Sequence, residues 1–123
     1  FNSEAQTLHI INSSYFYYTP SELIINTGDT VQWLNESGYH NANATTSTLT
    51  KIDFNNPENF ISSPTSERIL LTRVFKIVET YEYDCFVGSH ASKGMVRFVI
   101  VNSVTSSKEG RKIPTTISWI TFG

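Results

Sequence analysis

Tyr81-Glu82-Tyr83-Asp84-Cys85-Phe86-Val87-Gly88-Ser89-His90-Ala91-Ser92-Lys93-Gly94-Met95 is the stretch on which the reading of this chain turns. Its first part alternates with a period of two, so an extended backbone puts Tyr81, Tyr83 and Cys85 on one face and Glu82 and Asp84 on the other. The aromatic face is expected to be the buried one, which points the only cysteine of the chain inward at the end of a strand. The loop beyond it carries His90, with Gly88 and Gly94 allowing tight bends, and Met95 opens the next strand. One short hairpin-like segment thus offers sulfur, imidazole nitrogen and thioether together.

Working outward, strand signals dominate. Thr7–Ile11, Ser21–Asn26, Thr30–Leu34, Arg68–Ile77, Thr80–Cys85 and Met95–Val101 are runs rich in β-branched and aromatic residues, and Thr27-Gly28-Asp29 between two of them has turn composition. Short strands joined by turns predict an all-β, antiparallel sandwich. No stretch keeps a helical period, although Asn56–Phe60 is compatible with one short turn. Residues 41–66 are rich in Asn, Thr and Ser and long for a strand connection, which suggests a surface excursion with room for a small helix. Residues 103–123 open with linker composition and then turn apolar at Ile113, Ile117, Trp119, Ile120 and Phe122. The expected division is a domain over 1–102 and an extension over 103–123, either an added strand or a linker.

Upstream, His40 follows the Trp33 strand after the turn-like Asn35-Glu36-Ser37-Gly38, from where it reaches across to the Cys85 loop. One thiol, two imidazoles and a thioether are the donor set of a trigonal copper site with a weak axial methionine. Singly, each residue has a plainer reading: Cys85 as an inert buried thiol, Met95 as core filler, His40 as a loop histidine. The combination and its order carry the metal reading. Zinc would accept the Cys and both His, but a thioether selects copper. A Cys85–His90 nucleophile pair lacks an orienting group and an oxyanion-hole signature, and a Cys-x-x-Cys redox pair is excluded by the single cysteine. His9, alternating with apolar neighbours, reads as structural or exposed.

Gly28-Asp29-Thr30-Val31-Gln32-Trp33, then His40-Asn41, then Cys85-x₄-His90-x₄-Met95 resemble the cupredoxins of the plastocyanin/azurin type across roughly residues 5 to 102. The resemblance implies a Greek-key sandwich or barrel of about eight strands with one type 1 copper near one end. It further implies His40, Cys85 and His90 as equatorial ligands, Met95 as the axial one, and Asn41 as a hydrogen-bonding tie between ligand loops. The ligand-loop spacing is similar to that of phytocyanins, yet their disulfide cysteines are missing, with Ala91 where one would stand. Asp84 replaces the aromatic that plant plastocyanins carry before the cysteine. Enzymatic members of the fold need a second copper centre, and His9 is the only histidine left to build one, so catalysis is not expected.

The implied activity is one-electron transfer through Cu(I)/Cu(II); copper capture or delivery, or a copper-binding domain of a larger surface protein, would use the same ligands. A redox partner is expected to touch briefly near His90, on a rim of Gly38, Phe86, Val87 and Ala91, with Glu58, Glu79, Glu82 and Asp84 as candidate steering charges. At 123 residues the length fits one domain able to bury a core without disulfides. A formal charge of −2 and a pI near 5.9 argue against nucleic acid, and no apolar run reaches the ~20 residues that cross a bilayer. A monomer is expected. Phe1 in place of Met fits a processed segment, and with the copper reading it points to an extracytoplasmic location. Asn12, Asn35 and Asn43 begin glycosylation-type triplets, which arise readily in such a composition.

Overall fold

The computed structural model describes residues 6–104. Seven strands follow in order: β1 (Leu8–Ser14), β2 (Tyr17–Thr19), β3 (Glu22–Asn26), β4 (Thr30–Asn35), β5 (Ile69–Val74), β6 (Glu79–Asp84) and β7 (Val96–Asn102). They form two sheets, β2-β1-β4-β5 and β3-β7-β6, packed face to face. The all-β sandwich expected from the sequence is therefore present, with seven strands among the described residues rather than about eight. Any strand in the extension beyond residue 104 lies outside the described residues.

The inner faces follow the period of two. On β4, Val31, Trp33 and Asn35 point inward and are buried; on β6, Tyr81 and Tyr83 do the same, and Cys85 continues that face. Trp33 is the centre of the core, with ring centroids 5.3 Å from Tyr83, 5.4 Å from Phe60 and 6.4 Å from Phe75. These tilted and edge-on contacts are the arrangement that aromatic quadrupoles favour.

Three expectations need correction. First, the sandwich is mixed: β1 runs parallel to β4, and β3 parallel to β7. The chain leaves β1–β2 for the other sheet at β3 and returns as β4 beside β1, a crossing that local sequence does not encode. Second, residues 41–66 run over the surface only in their middle, 45–59, while both ends are drawn into the interior, and the segment holds no helix. Ala42, Ala44, Phe60 and Ser62 are buried, and the segment folds back on itself through backbone bonds such as Ala44 N to Phe60 O (2.7 Å) and Ser62 N to Ala42 O (2.9 Å). Third, Asp84 is wholly buried because this segment covers it. Its carboxylate accepts bonds from Asn43 Nδ2 and the Thr48 amide, each at 2.8 Å, so it is not a steering charge.

The turn Thr27-Gly28-Asp29 closes the far end of the molecule. Asp29 accepts bonds from His9 Nε2 (2.9 Å) and from the amides of Thr7 and Asn26 (both 3.1 Å), giving His9 the structural role read from the sequence. Burial pushes the Asp29 carboxyl up, but the bond from His9 and the two amides outweigh it and hold it below the usual range. A depressed carboxyl contributes stability that is complete above its unfolded value of about 3.9 and is lost as pH falls through the folded value. Asp29→Asn is accordingly expected to destabilise the domain at neutral pH. Urea titrations at a series of pH values should show its gap to the wild type closing below about pH 4.

Candidate metal centre

Three elements deliver the donors. Cys85 continues the buried face of β6, His40 follows β4, and His90 ends the loop that precedes the 3₁₀ turn Ala91–Lys93. His40 and Cys85 have no solvent exposure, while His90 is half-buried. The two Nδ1 atoms lie 3.2 Å apart, and Cys85 Sγ is 3.4 Å from His90 Nδ1 and 3.9 Å from His40 Nδ1. Among the described residues these three form the group of His, Cys and carboxylate side chains that converges closely enough to hold a metal ion. Met95, fully buried, is tied in through its backbone: Cys85 N donates to Met95 O, and Met95 N donates to His90 O, both at 3.1 Å.

The geometry fits a metal ion. A triangle with sides of 3.2, 3.4 and 3.9 Å has its centre about 2 Å from each corner, the length of a metal–imidazole bond and slightly short for a metal–thiolate bond. His40 Nε2 donates to the Ser37 carbonyl at 2.8 Å, so in the neutral ring the lone pair sits on Nδ1, aimed at Cys85 and His90. Burial lowers the proton affinity of both imidazoles, helped for His40 by His90 and for His90 by Lys93. Burial also raises the Cys85 thiol, against hydrogen bonding that lowers it. The neutral imidazoles are ready ligands, and a cation supplies what makes the thiolate favourable.

A second layer fixes these positions. His40 exchanges both backbone bonds with Thr65, N to O at 3.1 Å and O from N at 3.0 Å. Asn41 joins the two ligand loops as expected: its Oδ1 accepts from the Phe86 amide (3.0 Å), its Nδ2 donates to Ser62 O (3.0 Å), and Tyr18 donates its hydroxyl to the Asn41 carbonyl. Asn35 and Asn43, two of the glycosylation-type positions, are buried and bonded: Asn35 Nδ2 to Gly38 O (2.9 Å), Asn43 Nδ2 to Thr46 O (2.8 Å). Gly38 is at φ +95, and a Cβ there would stand 2.7 Å from His40 Nε2. Gly38→Ala is therefore expected to weaken copper binding by about tenfold or more, read by competition with a chelator, through displacement of the His40 ring.

Of the rim read from the sequence, Phe86, Val87 and Gly38 reach the surface, but Ala91, the first residue of the 3₁₀ turn, is buried. Sequence reasoning missed the β1–β2 turn, where Phe16 packs edge-on against His90 (centroids 5.5 Å) and Tyr15 against His40 (6.4 Å). The available signal was the unbroken aromatic run Tyr15-Phe16-Tyr17-Tyr18, of which only Tyr18 is buried.

A two-sheet β-sandwich with a Cys–His–His cluster between loops at one end defines a cupredoxin. The profile of the copper binding proteins of the plastocyanin/azurin family matches residues 5–102, and the chain belongs to that family, with copper as its cofactor. In fold it is similar to a reduced amicyanin variant (24% identity, 76% of this chain and 81% of that one, TM-score 0.55). A reduced Cu(I) form of another amicyanin variant at pH 4 aligns at 20% identity over 82% and 86% of the two chains, TM-score 0.58. Amicyanin from Paracoccus versutus aligns at 21% identity over 76% and 80%, TM-score 0.57. No curated protein sequence matches the chain.

Proposed function

We propose that the chain is a type 1 copper electron carrier, not an enzyme, in which His40, Cys85, His90 and Met95 bind one copper ion. The observation that supports it most directly is the convergence of two Nδ1 atoms and one Sγ around a point about 2 Å from each. When bound, copper supplies one-electron chemistry by alternating between Cu(I) and Cu(II). The protein contributes rigidity: His40 is held by Ser37 and Thr65, and Cys85 and Met95 by backbone bonds, so the donors keep one compromise arrangement in both oxidation states. Cys85 gives up its proton on metal binding, and Met95 tunes the potential.

His90, the half-buried ligand, is the electron port. Exposed Tyr39, next to His40 in the chain, and exposed Phe86, next to Cys85, suit a brief apolar contact with a redox partner, of the small kind, below about 1,200 Å², that permits rapid release. Glu79 is exposed and able to steer, whereas Glu58 is engaged by Arg73 at 3.0 Å. The carrier acts as a monomer outside the cytoplasm, with 1–102 as the copper domain and 103–123 as its extension. No helix among the described residues is long and apolar enough to cross a membrane.

The test is to add Cu(II) to the purified protein and record its visible spectrum, where an intense band at about 600 nm reports copper–thiolate bonding. Met95→Leu should keep the band and raise the reduction potential. Repeated redox cycling in the presence of a chelator separates a carrier, which retains its copper, from a delivery protein, which surrenders it. Absence of the band in the wild type would overturn the proposal.

A further inference from the structure

The β1–β2 turn lies over the solvent side of the metal centre and is fastened to both ligand loops. Ser14 Oγ and Ser37 Oγ are 2.7 Å apart, and the Glu36 amide donates to Ser13 O at 2.8 Å, joining the turn to the segment that leads to His40. On the other side the Phe16 carbonyl would stand 3.1 Å from a Cβ at Gly94, so the turn and the Cys85–Met95 loop pack closely enough that a side chain there would press them apart by a few tenths of an ångström. Phe16 itself has φ 69, a left-handed conformation that is an outlier for a bulky residue and persists only where surroundings hold it.

Its ring meets His90 edge-on, with centroids 5.5 Å apart and an interplanar angle of 73°. The Lys93 ammonium lies 4.7 Å from the Phe16 centroid, a cation–π contact that pins the same ring from the 3₁₀ turn. Phe16 is thus held from three directions: by its own hairpin, by Lys93 and by His90. An apolar ring in that position stabilises no helix or strand, yet it sits against the one donor ring that reaches the surface.

Building on the copper-carrier reading, we propose that Phe16 is a positioning residue for His90: strapped by Lys93, it fixes the imidazole and closes the solvent side of the centre to chelators and small nitrogen ligands. Copper would then be retained not by burial of the ligands alone but by an aromatic cover contributed from the opposite end of the sequence. Loss of the ring should free His90 to swing out, the first step by which a competing ligand takes the ion.

The experiment compares wild type, Phe16→Ala, Phe16→Tyr and Lys93→Gln, each loaded with copper, reduced, and challenged with excess bathocuproine disulfonate. Phe16→Ala is expected to lose copper about tenfold faster or more, Lys93→Gln at an intermediate rate, and Phe16→Tyr at the wild-type rate. Added imidazole should alter the visible spectrum of Phe16→Ala at concentrations that leave wild type and Phe16→Tyr unchanged. A second readout needs no metal: in the copper-free protein, the His90 ring resonances should report one ring orientation in wild type and Phe16→Tyr and exchange among several orientations in Phe16→Ala, read from line broadening and nuclear Overhauser contacts, with those of His9 unchanged. Equal copper loss from wild type and Phe16→Ala overturns the proposal, as does a Phe16→Tyr that leaks as fast as Phe16→Ala. A wild type that forms no copper–thiolate band instead overturns the carrier reading, and the His90 resonances then still decide whether Phe16 positions the ring.

Discussion

Replacing Cys85 with serine is expected to remove the absorption at about 600 nm altogether, because the band belongs to a copper–thiolate bond and a serine hydroxyl does not ionise into that role. The sulfur is the one donor that lies close to both imidazole nitrogens, at 3.4 and 3.9 Å, so no other side chain among the described residues stands ready to replace it. Copper affinity should fall by orders of magnitude, while the apoprotein remains folded. Burying a hydroxyl in place of the thiol costs about 1–3 kcal/mol, well within what a sandwich of this size tolerates. Visible spectroscopy of the loaded variant and a thermal melt of the apo form check both halves. A Cys85→Ser protein with an unchanged spectrum would falsify the ligand assignment.

Trp33→Ala is expected to be the most destabilising single change, at about 3–5 kcal/mol. Trp33 has no solvent exposure and joins both sheets through Phe60, Phe75 and Tyr83. Its removal leaves a cavity that fixed strands cannot close. Against a total stability of about 5–15 kcal/mol that is a large share, and for a domain near 100 residues it lowers the melting temperature by roughly 12–40 °C. Trp33→Phe should cost distinctly less, because it retains an aromatic body and the indole Nε1 it deletes has no protein hydrogen-bond partner. Chemical denaturation of the two variants measures the difference; equal losses would mean that the core is not organised around this ring volume. Because Tyr83 leads directly to Cys85, the alanine variant should also bind copper more weakly.

The site was more legible in the sequence than the fold around it. The Cys85, His90 and Met95 spacing lies within one loop, so its chemistry is visible locally, and the alternation Tyr81-Glu82-Tyr83 correctly gave the phase of β6. That phase did not give the environment of its other face. Asp84 alternates outward from the sandwich, yet it is buried, since burial there depends on Asn43 and Thr48 folding across it. The two ends of the segment 41–66 misled in the same way. Polar composition reads as solvent-facing, but Asn41, Asn43 and Ser62 spend their polar atoms on backbone groups and, for Asn43, also on the Asp84 carboxylate, and become an interior seam behind His40.

The order of donors along the chain, the inward phase of β4 and β6, and the soft character of the binding site were set by side-chain chemistry and a two-residue period, both of which are local properties. The parallel pairing of β1 with β4 and of β3 with β7, the covering of Asp84 and the placing of Phe16 against His90 were decided only in three dimensions. Each of these depends on contacts between residues far apart in sequence, where no nearby pattern records which neighbour will arrive.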